Sequence, residues 1–175
     1  MDGSHLEIRK ATESDLPRVL GLYQQGLNDA RVLGLAAAAG ILRRMASYPD
    51  YGVYVAIAPR DHADHGAGEI AGEIVGTFAL LVMDNLAHFG TPSAVVEDVC
   101  VDARARGRGI GRAMMAFALE VARARGCYKL SLSSNAARED AHAFYRSLGF
   151  EQHGISFQVR LSPGGATHRD ENEVP

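Results

Sequence analysis

The 175-residue chain has little cysteine and little net charge. Its two cysteines, Cys100 and Cys127, both lie in apolar, strand-like stretches. Two cysteines are too few for a disulfide framework, so we predict buried, reduced thiols. The chain has 18 Lys and Arg residues against 21 Asp and Glu residues, a formal net charge of −3. This balance predicts no general attraction to nucleic acid or to an anionic membrane surface.

The sequence also shows neither a membrane-spanning segment nor an export signal. No apolar run approaches the ~20 residues that a membrane-spanning helix needs. Residues 1–6 have neither the basic nor the apolar region of a signal peptide, which predicts a cytoplasmic protein with no membrane partner. Asp61, His62, Asp64 and His65 match no standard zinc spacing, so we expect a polar loop there and no metal.

The two commonest nucleotide-binding loops are absent as well. A Walker-type loop needs Gly-Lys-Ser or Gly-Lys-Thr, and no Lys-Ser or Lys-Thr pair occurs in the chain. A dinucleotide fingerprint needs Gly-x-Gly-x-x-Gly. Counted from Gly107 the third position is Arg112, and counted from Gly109 it is Met114, so both frames fail. A nucleotide-binding protein of either type is therefore disfavoured.

What the chain does contain is a glycine- and arginine-rich turn between an apolar strand and an amphipathic helix. We call residues 106–112 (Arg-Gly-Arg-Gly-Ile-Gly-Arg) the cradle. Glycines at alternate positions let the backbone approach a ligand, and a helix start presents N–H groups and the positive end of its dipole. Three arginines add full charges. The pattern predicts a phosphate or pyrophosphate site, and the alternative is a surface turn with solvated arginines.

Hydrophobic periodicity predicts an α/β fold with a mixed sheet flanked by helices. A hairpin joins the second and third strands, and Gly126 is expected to cap the third helix. We predict one domain over residues 6–162, a short extension over 1–5 and a disordered tail over 163–175. The predicted strands are 6–11, 51–58, 69–83, 94–101, 128–133, 150–152 and 156–161, and the predicted helices are 16–23, 33–46, 109–125 and 137–148.

The cradle is part of a longer resemblance. Arg106-x-x-Gly109-x-Gly111 resembles the coenzyme A pyrophosphate loop of the GNAT N-acetyltransferase superfamily. Segments 97–101, 127–135 and 140–150, the last ending Phe-Tyr-Arg-Ser-Leu-Gly-Phe, resemble further motifs of that family in the same order. The resemblance implies a single-domain GNAT fold: a mixed, mostly antiparallel, twisted sheet with splayed central strands. Within that family, the chain is similar to glucosamine-6-phosphate and aminoalkylphosphonate N-acetyltransferases.

The resemblance also implies which residues hold acetyl-CoA, the expected co-substrate. Backbone groups of the cradle would bind the pyrophosphate, and the central strand would pair with the pantetheine arm. Asn135 would hydrogen-bond the cofactor, although an asparagine there could equally cap the following helix. The implied cofactor-binding residues are Val99, Cys100, Val101, Arg106, Gly107, Arg108, Gly109, Ile110, Gly111, Arg112 and Asn135.

Two residues are implied to carry the chemistry. Tyr145 matches the tyrosine generally assigned as general acid, and a phenol with the ordinary pKa of about 10 is protonated at neutral pH. The alternative is a half-buried helix tyrosine. Glu97 is the candidate base, since it shares strand parity with Val99 and Val101 unless a bulge intervenes. Asp98 points to the other face. A strand-end carboxylate paired with an arginine is the alternative for Glu97.

The expected activity is acetyl-CoA-dependent N-acetylation of a small primary amine. Residues 27–44 and 84–93 are the expected substrate loops, with His88 and Phe89 lining them. His142 shares a helix face with Tyr145 and is either a substrate contact or a packing histidine. The acceptor could be an amino sugar phosphate, an aminophosphonate, an amino acid, a polyamine or an aminoglycoside. A non-catalytic acyl-CoA-binding module is the alternative function, and the sheet edges and the closing strand pair could support a homodimer.

Overall fold

The computed structural model describes residues 6–27, 33–59, 72–159 and 161. The chain divides into two compact units, Met1–Leu132 and Ser133–Pro175. The metal-ligand candidates Asp61, His62, Asp64 and His65, the predicted extension 1–5 and the predicted tail 163–175 lie outside the described residues.

The first unit is built on a five-stranded mixed sheet, as predicted. The strands lie side by side in chain order; each of the first three pairs is antiparallel, and the last pair is parallel. The second and third strands form the predicted hairpin. The strands are β1 (Glu7–Lys10), β2 (Tyr51–Ala58), β3 (Glu73–Met83), β4 (Ser93–Val101) and β5 (Leu130–Ser131).

Three helices of the first unit flank this sheet: α1 (Leu16–Gly26), α2 (Leu35–Met45) and α3 (Ile110–Ala124). The start of α1 is fixed by Asp15, whose carboxylate accepts hydrogen bonds from the Thr12 N–H (2.7 Å) and hydroxyl (2.8 Å). Arg9 donates to the same carboxylate at 2.7 Å and so joins β1 to α1. These donors hold the pKa of Asp15 down at about 2. Among the described residues, no helix is long and apolar enough to cross a membrane.

Each face of the sheet has its own core. Val53 and Val55 pack with Val19 of α1 on one face. On the other face the rings of Tyr54 and Phe78 stack at 5.3 Å beneath α3. Gly76 lets α3 come close, because a Cβ placed there would lie 2.6 Å from Met114 Sδ. As predicted, α3 ends at a glycine in the left-handed conformation, Gly126, with φ 69°.

Within its described residues, the second unit contains one helix, α4 (Glu139–Ser147). The predicted closing strand pair is wrong over residues 150–159, which contain no strand. The side chains of Ile155, Phe157 and Val159 are exposed instead, Phe157 by 91%. Apolar–polar alternation indicates a strand only when a neighbouring strand and an apolar surface receive it, and these side chains remain exposed.

Candidate active site

The cradle joins the end of β4 to the start of α3. Gly107 and Gly109 have φ of 75° and 79°, a left-handed conformation that other residues adopt only with strain. A Cβ placed on either would meet no atom within 4 Å, so the space beside the backbone is open. Gly109 is the N-cap of α3 and Ile110 is buried beneath it, so the helix begins inside the cradle.

The remaining cradle residues present positive charge around this opening. Arg106, Arg108 and Arg112 are exposed, and Gly111 lies in the first turn of α3. A helix start carries N–H groups without an intrahelical acceptor and the positive end of the helix dipole. Open left-handed glycines, a helix start and three guanidinium groups together fit a pyrophosphate.

β4 extends past its parallel partner beside the cradle. The β4–β5 ladder consists of two pairs, Ala94 with Leu130 and Val95 with Ser131. β5 then ends, whereas β4 continues to Val101. Among the described residues, 96–101 of β4 therefore lie beyond the ladder with β5 and pair with β3, and this extension contains Val99, Cys100 and Val101. The Cys100 side chain is buried under the end of α1, where a Cβ on Gly26 would lie 2.6 Å from its Sγ.

A β-bulge at Asp98 and Val99 changes the parity of β4. Ala79 pairs with Glu97 and Thr77 pairs with Cys100, so two residues of β4 face Phe78 alone. Asp98 takes the extra bend, with φ 54°. Directly paired residues share a face, so Glu97 and Cys100 lie on the α1 and α2 face. The prediction that Glu97 shares its face with Val101 is wrong, because the extra residue reverses the alternation.

The face that carries Glu97 also carries a tyrosine that sequence analysis missed. Tyr51 and Val53 lie two residues apart on β2, and Val53 pairs with Ala79, the neighbour of Glu97. Tyr51 and Glu97 therefore flank the small Ala79 side chain diagonally. Burial raises the pKa of Tyr51, and the carboxylates of Asp98 and Glu97 raise it further. The alternation of β2 predicts on which face of the sheet Tyr51 lies. The sequence does not indicate which carboxylate of β4 lies on the same face.

A second tyrosine comes from α1. Burial raises the pKa of Tyr23 well above its ordinary value, and the charge of Asp98 adds to the effect. Partial burial raises the pKa of Glu97, and the like charge of Asp98 raises it further. We call Tyr23, Tyr51, Glu97 and Asp98 the acid–tyrosine group. It combines a hydrogen-bonding aromatic surface with two carboxylates, both of which are exposed.

Tyr145 lies on α4 in the second unit and is half-buried. Its ring contacts those of Phe144 and Phe150, with centroids 5.1 and 5.8 Å apart. The Phe150 N–H donates to the Tyr145 carbonyl at 3.1 Å, and Gly149 makes this return possible with φ 87°. The residues of the motif Phe-Tyr-x-x-x-Gly-Phe therefore contact one another and hold the tyrosine ring between two phenylalanine rings.

Asn135 and His142 are joined to each other in the same unit. The Asn135 side-chain oxygen accepts the Ala137 N–H at 2.9 Å in an Asx turn, whereas the N-cap of α4 is Arg138, so the predicted capping alternative is wrong. The Asn135 carbonyl oxygen lies 3.0 Å from Nε2 of His142. His142 thus supports the turn before α4, in agreement with the packing alternative.

His88 and Phe89 lie in a tight turn between β3 and β4. Both have left-handed φ, 51° and 59°, which is strained for residues other than glycine. The His88 ring packs on Tyr128 with centroids 4.3 Å apart, and Phe89 is fully exposed at 107%. Elsewhere in the described part of the chain, no group of three or more His, Cys, Asp or Glu residues could hold a metal ion.

The mixed sheet, the bulge in β4 and the glycine- and arginine-rich start of α3 are the architecture of an acetyl-CoA-dependent acyltransferase. The chain belongs to the acetyltransferase (GNAT) family, whose model matches residues 31–150.

Named relatives agree with this family. The chain is 29% identical to a glucosamine 6-phosphate N-acetyltransferase of Trypanosoma brucei brucei over 89% of its own length and 96% of the relative. It is 30% identical to an aminoalkylphosphonate N-acetyltransferase of Salmonella typhimurium, over 89% and 91% of the two chains. A solved structure from Agrobacterium tumefaciens str. C58, assigned as an acetyltransferase, superposes with a TM-score of 0.75 at 34% identity, over 89% and 99% of the chains.

Proposed function

We propose that this protein transfers the acetyl group of acetyl-CoA to the primary amine of a small molecule by direct attack in a ternary complex. The observation that carries the proposal is the pair of left-handed glycines opening on free space at the start of α3, beside residues 96–101 of β4, which extend past its ladder with β5. Acyl-CoA thioesters carry both groups that would fit here. Their pyrophosphate would bind at the cradle, and their extended polar arm would lie along β4.

The residues that hold the co-substrate do so mainly through their backbone. N–H groups of the cradle bind the pyrophosphate, with its arginines adding charge. Backbone groups of Val99, Cys100 and Val101 pair with the pantetheine arm, and a backbone N–H there stabilises the oxyanion of the transition state. Asn135 adds a polar contact. Acetyl-CoA supplies an activated acyl group, and a strand edge aligned with it lowers the entropic part of the barrier.

The acid–tyrosine group receives the amine. A primary ammonium must lose a proton before it can attack, and a carboxylate performs this step best when its pKa approaches the working pH. The raised pKa of Glu97 therefore supports its role as base, directly or through one water. Asp98 and the rings of Tyr51 and Tyr23 attract the cationic form of the acceptor. His88 and Phe89 extend the acceptor surface.

Tyr145 acts as the general acid. Its phenol donates a proton to the departing thiolate, and the two phenylalanine rings beside it hold the hydroxyl in one direction. This role needs a protonated phenol at neutral pH, which is the ordinary state of tyrosine.

The test is a screen for free-thiol release from acetyl-CoA with five amine classes: amino sugar phosphates, aminophosphonates, amino acids, polyamines and aminoglycosides. We expect turnover with at least one class, and CoA binding in calorimetry. Gly109→Asp should abolish that binding, because it places a side chain and a negative charge in the cradle. Unchanged affinity in this variant would refute the cradle assignment. CoA binding without turnover on any amine would favour a non-catalytic acyl-CoA-binding module.

Cellular location and assembly are part of the proposal. Free cysteines at 100 and 127 support a reducing, cytoplasmic setting. The exposed Ile155, Phe157 and Val159 side chains support a homodimer in which a second copy covers them. Light scattering after size exclusion should give twice the monomer mass, and Phe157→Ser should shift it toward the monomer.

A further inference from the structure

The residue that follows β4 is a buried aspartate with several donors around it. Asp102 is 3% exposed, and its N–H donates to the Val75 carbonyl at 2.8 Å, so its backbone is still held by β3. Its carboxylate accepts the Arg104 N–H at 2.8 Å and caps a single 3-10 turn, Ala103–Ala105. Asp102 therefore sets the direction in which the chain leaves the sheet.

Two guanidinium groups complete the shell around this carboxylate. Arg104 donates to it from Nε at 3.2 Å and from a terminal nitrogen at 3.1 Å. Arg18 of α1 pairs with it and also donates from Nε to the Ile74 carbonyl at 2.9 Å. Arg104 reaches Glu73 at 3.0 Å. These bonds tie α1, β3 and the end of β4 to one point.

The cradle follows this turn directly. A Cβ at Gly107 or Gly109 would meet no atom within 4 Å, so no neighbouring side chain packs at these two positions. Buried residues instead anchor the backbone on both sides of the two glycines. On one side is Ile110, at the start of α3. On the other is the turn that Asp102 caps, which ends at the buried Ala105.

We propose that Asp102 is a positioning residue for the cradle, which it aims at the ligand pyrophosphate by capping the 103–105 turn and holding Arg18 and Arg104. The inference rests on the proposed function in that the ligand is taken to be CoA. Arg18 and Arg104 also neutralise the carboxylate, so that no uncompensated negative charge lies beside an anion site. Asp102 touches neither substrate nor reacting atoms in this role.

Two ligands separate this role from a general contribution to folding. CoA carries the pyrophosphate, whereas pantetheine carries the same arm without it. We expect Asp102→Asn to raise the dissociation constant for CoA about tenfold, which is the effect of losing a charge-assisted hydrogen bond. The dissociation constant for pantetheine should remain nearly unchanged. Titration calorimetry on the full chain measures both, with competition against CoA for the weaker ligand.

A second buried aspartate provides the control. Asp15 also accepts bonds from an arginine and a backbone N–H, at the start of α1. Asp15→Asn should lower stability without changing the ratio of the two dissociation constants. Should Asp102→Asn fail to fold, Arg104→Ala removes one exposed guanidinium and should move the same ratio in the same direction by a smaller factor.

The two titrations distinguish a failure of the positioning role of Asp102 from a failure of the proposed function. If wild-type protein binds CoA no more tightly than pantetheine, the cradle assignment fails and the proposed function with it. If wild-type protein prefers CoA but Asp102→Asn and Arg104→Ala keep that preference, the proposed function stands and the positioning role of Asp102 is overturned. An equal change of the ratio in Asp15→Asn also overturns it.

Discussion

Gly109 combines a conformational requirement with a spatial one. Its φ of 79° favours glycine, and the space beside it is open in the free protein. Gly109→Ala should therefore cost about 1 kcal/mol in the free energy of unfolding and weaken CoA binding as well. Gly21→Ala is the matched control, since Gly21 lies within α1 with nothing near its Cβ position, and should gain about 0.5–1 kcal/mol. Urea unfolding and calorimetry measure both effects. Equal stability changes in the two variants would contradict this account.

Tyr145 can lose its hydroxyl without losing its ring contacts. Tyr145→Phe keeps the packing against Phe144 and Phe150, so stability should change by less than about 0.5 kcal/mol. Turnover should fall about a hundredfold if the phenol is the general acid, with CoA affinity unchanged. Tyr54→Phe, whose ring lies in the sheet core, should leave turnover unaffected. Full activity of Tyr145→Phe would remove the residue from the mechanism.

At the scale of elements, the bulge in β4 decides what the site contains. Asp98 has φ 54°, which valine adopts poorly and glycine freely. Asp98→Val should be about 1–2 kcal/mol less stable than Asp98→Gly in urea unfolding. At Glu97, one residue earlier on the paired strand, the order should reverse, because strands favour valine over glycine. The same order at both positions would mean that the bulge lies elsewhere.

The packing of α1 and β2 against β4 also predicts a substrate preference. The acid–tyrosine group holds two carboxylates, and Glu97 has no ion-pair partner among the described residues. An anionic group on the amine-bearing carbon would lie close to them and be repelled. 2-Aminoethylphosphonate should therefore exceed its isomer 1-aminoethylphosphonate in kcat/KM by about tenfold. The isomers have the same composition, so the thiol-release rates compare charge position directly. Equal rates would contradict a carboxylate-lined amine site.

Local pattern predicted most elements but not their mutual placement. The helix start within the cradle, α3 and the Gly126 cap depend on neighbours within a few residues, and their prediction is confirmed. The closing strands, the parity of Glu97 and the place of Tyr51 depend on partners far along the chain. A bulge of one residue hardly changes the hydrophobic alternation of the sequence. It nevertheless moves each later side chain of the strand to the opposite face of the sheet.

At the scale of the whole molecule, stability should depend on acidity. The pKa of Asp15 is lowered to about 2 and that of Asp102 is lowered too, each mainly by a hydrogen bond from an arginine. In an unfolded chain an aspartate titrates near 3.9. The stabilisation is therefore present above about pH 4 and is lost as the pH falls from about 4 toward 2, and Asp15 contributes on the order of 1–2 kcal/mol.

Urea unfolding between pH 3 and pH 6 measures this dependence. Asp15→Asn should reduce the loss of stability at the acid end, because the variant has one carboxylate fewer to protonate. If the free energy of unfolding depends on pH equally in the variant and the wild type, the Arg9–Asp15 pair does not lower the pKa of Asp15 in the folded state.

The sequence by itself determined the cradle, the helices and the family, because glycine conformation, helix periods and short motifs act over a few residues. Only the tertiary structure decided that β4 is bulged and extends past β5, that Tyr23 and Tyr51 join Glu97 and Asp98, and that Asp102 holds Arg18 and Arg104 before the cradle. These features arise from strand register and from side chains up to 84 positions apart. Charge pairing and burial at such separations exist only once the sheet has brought the segments together.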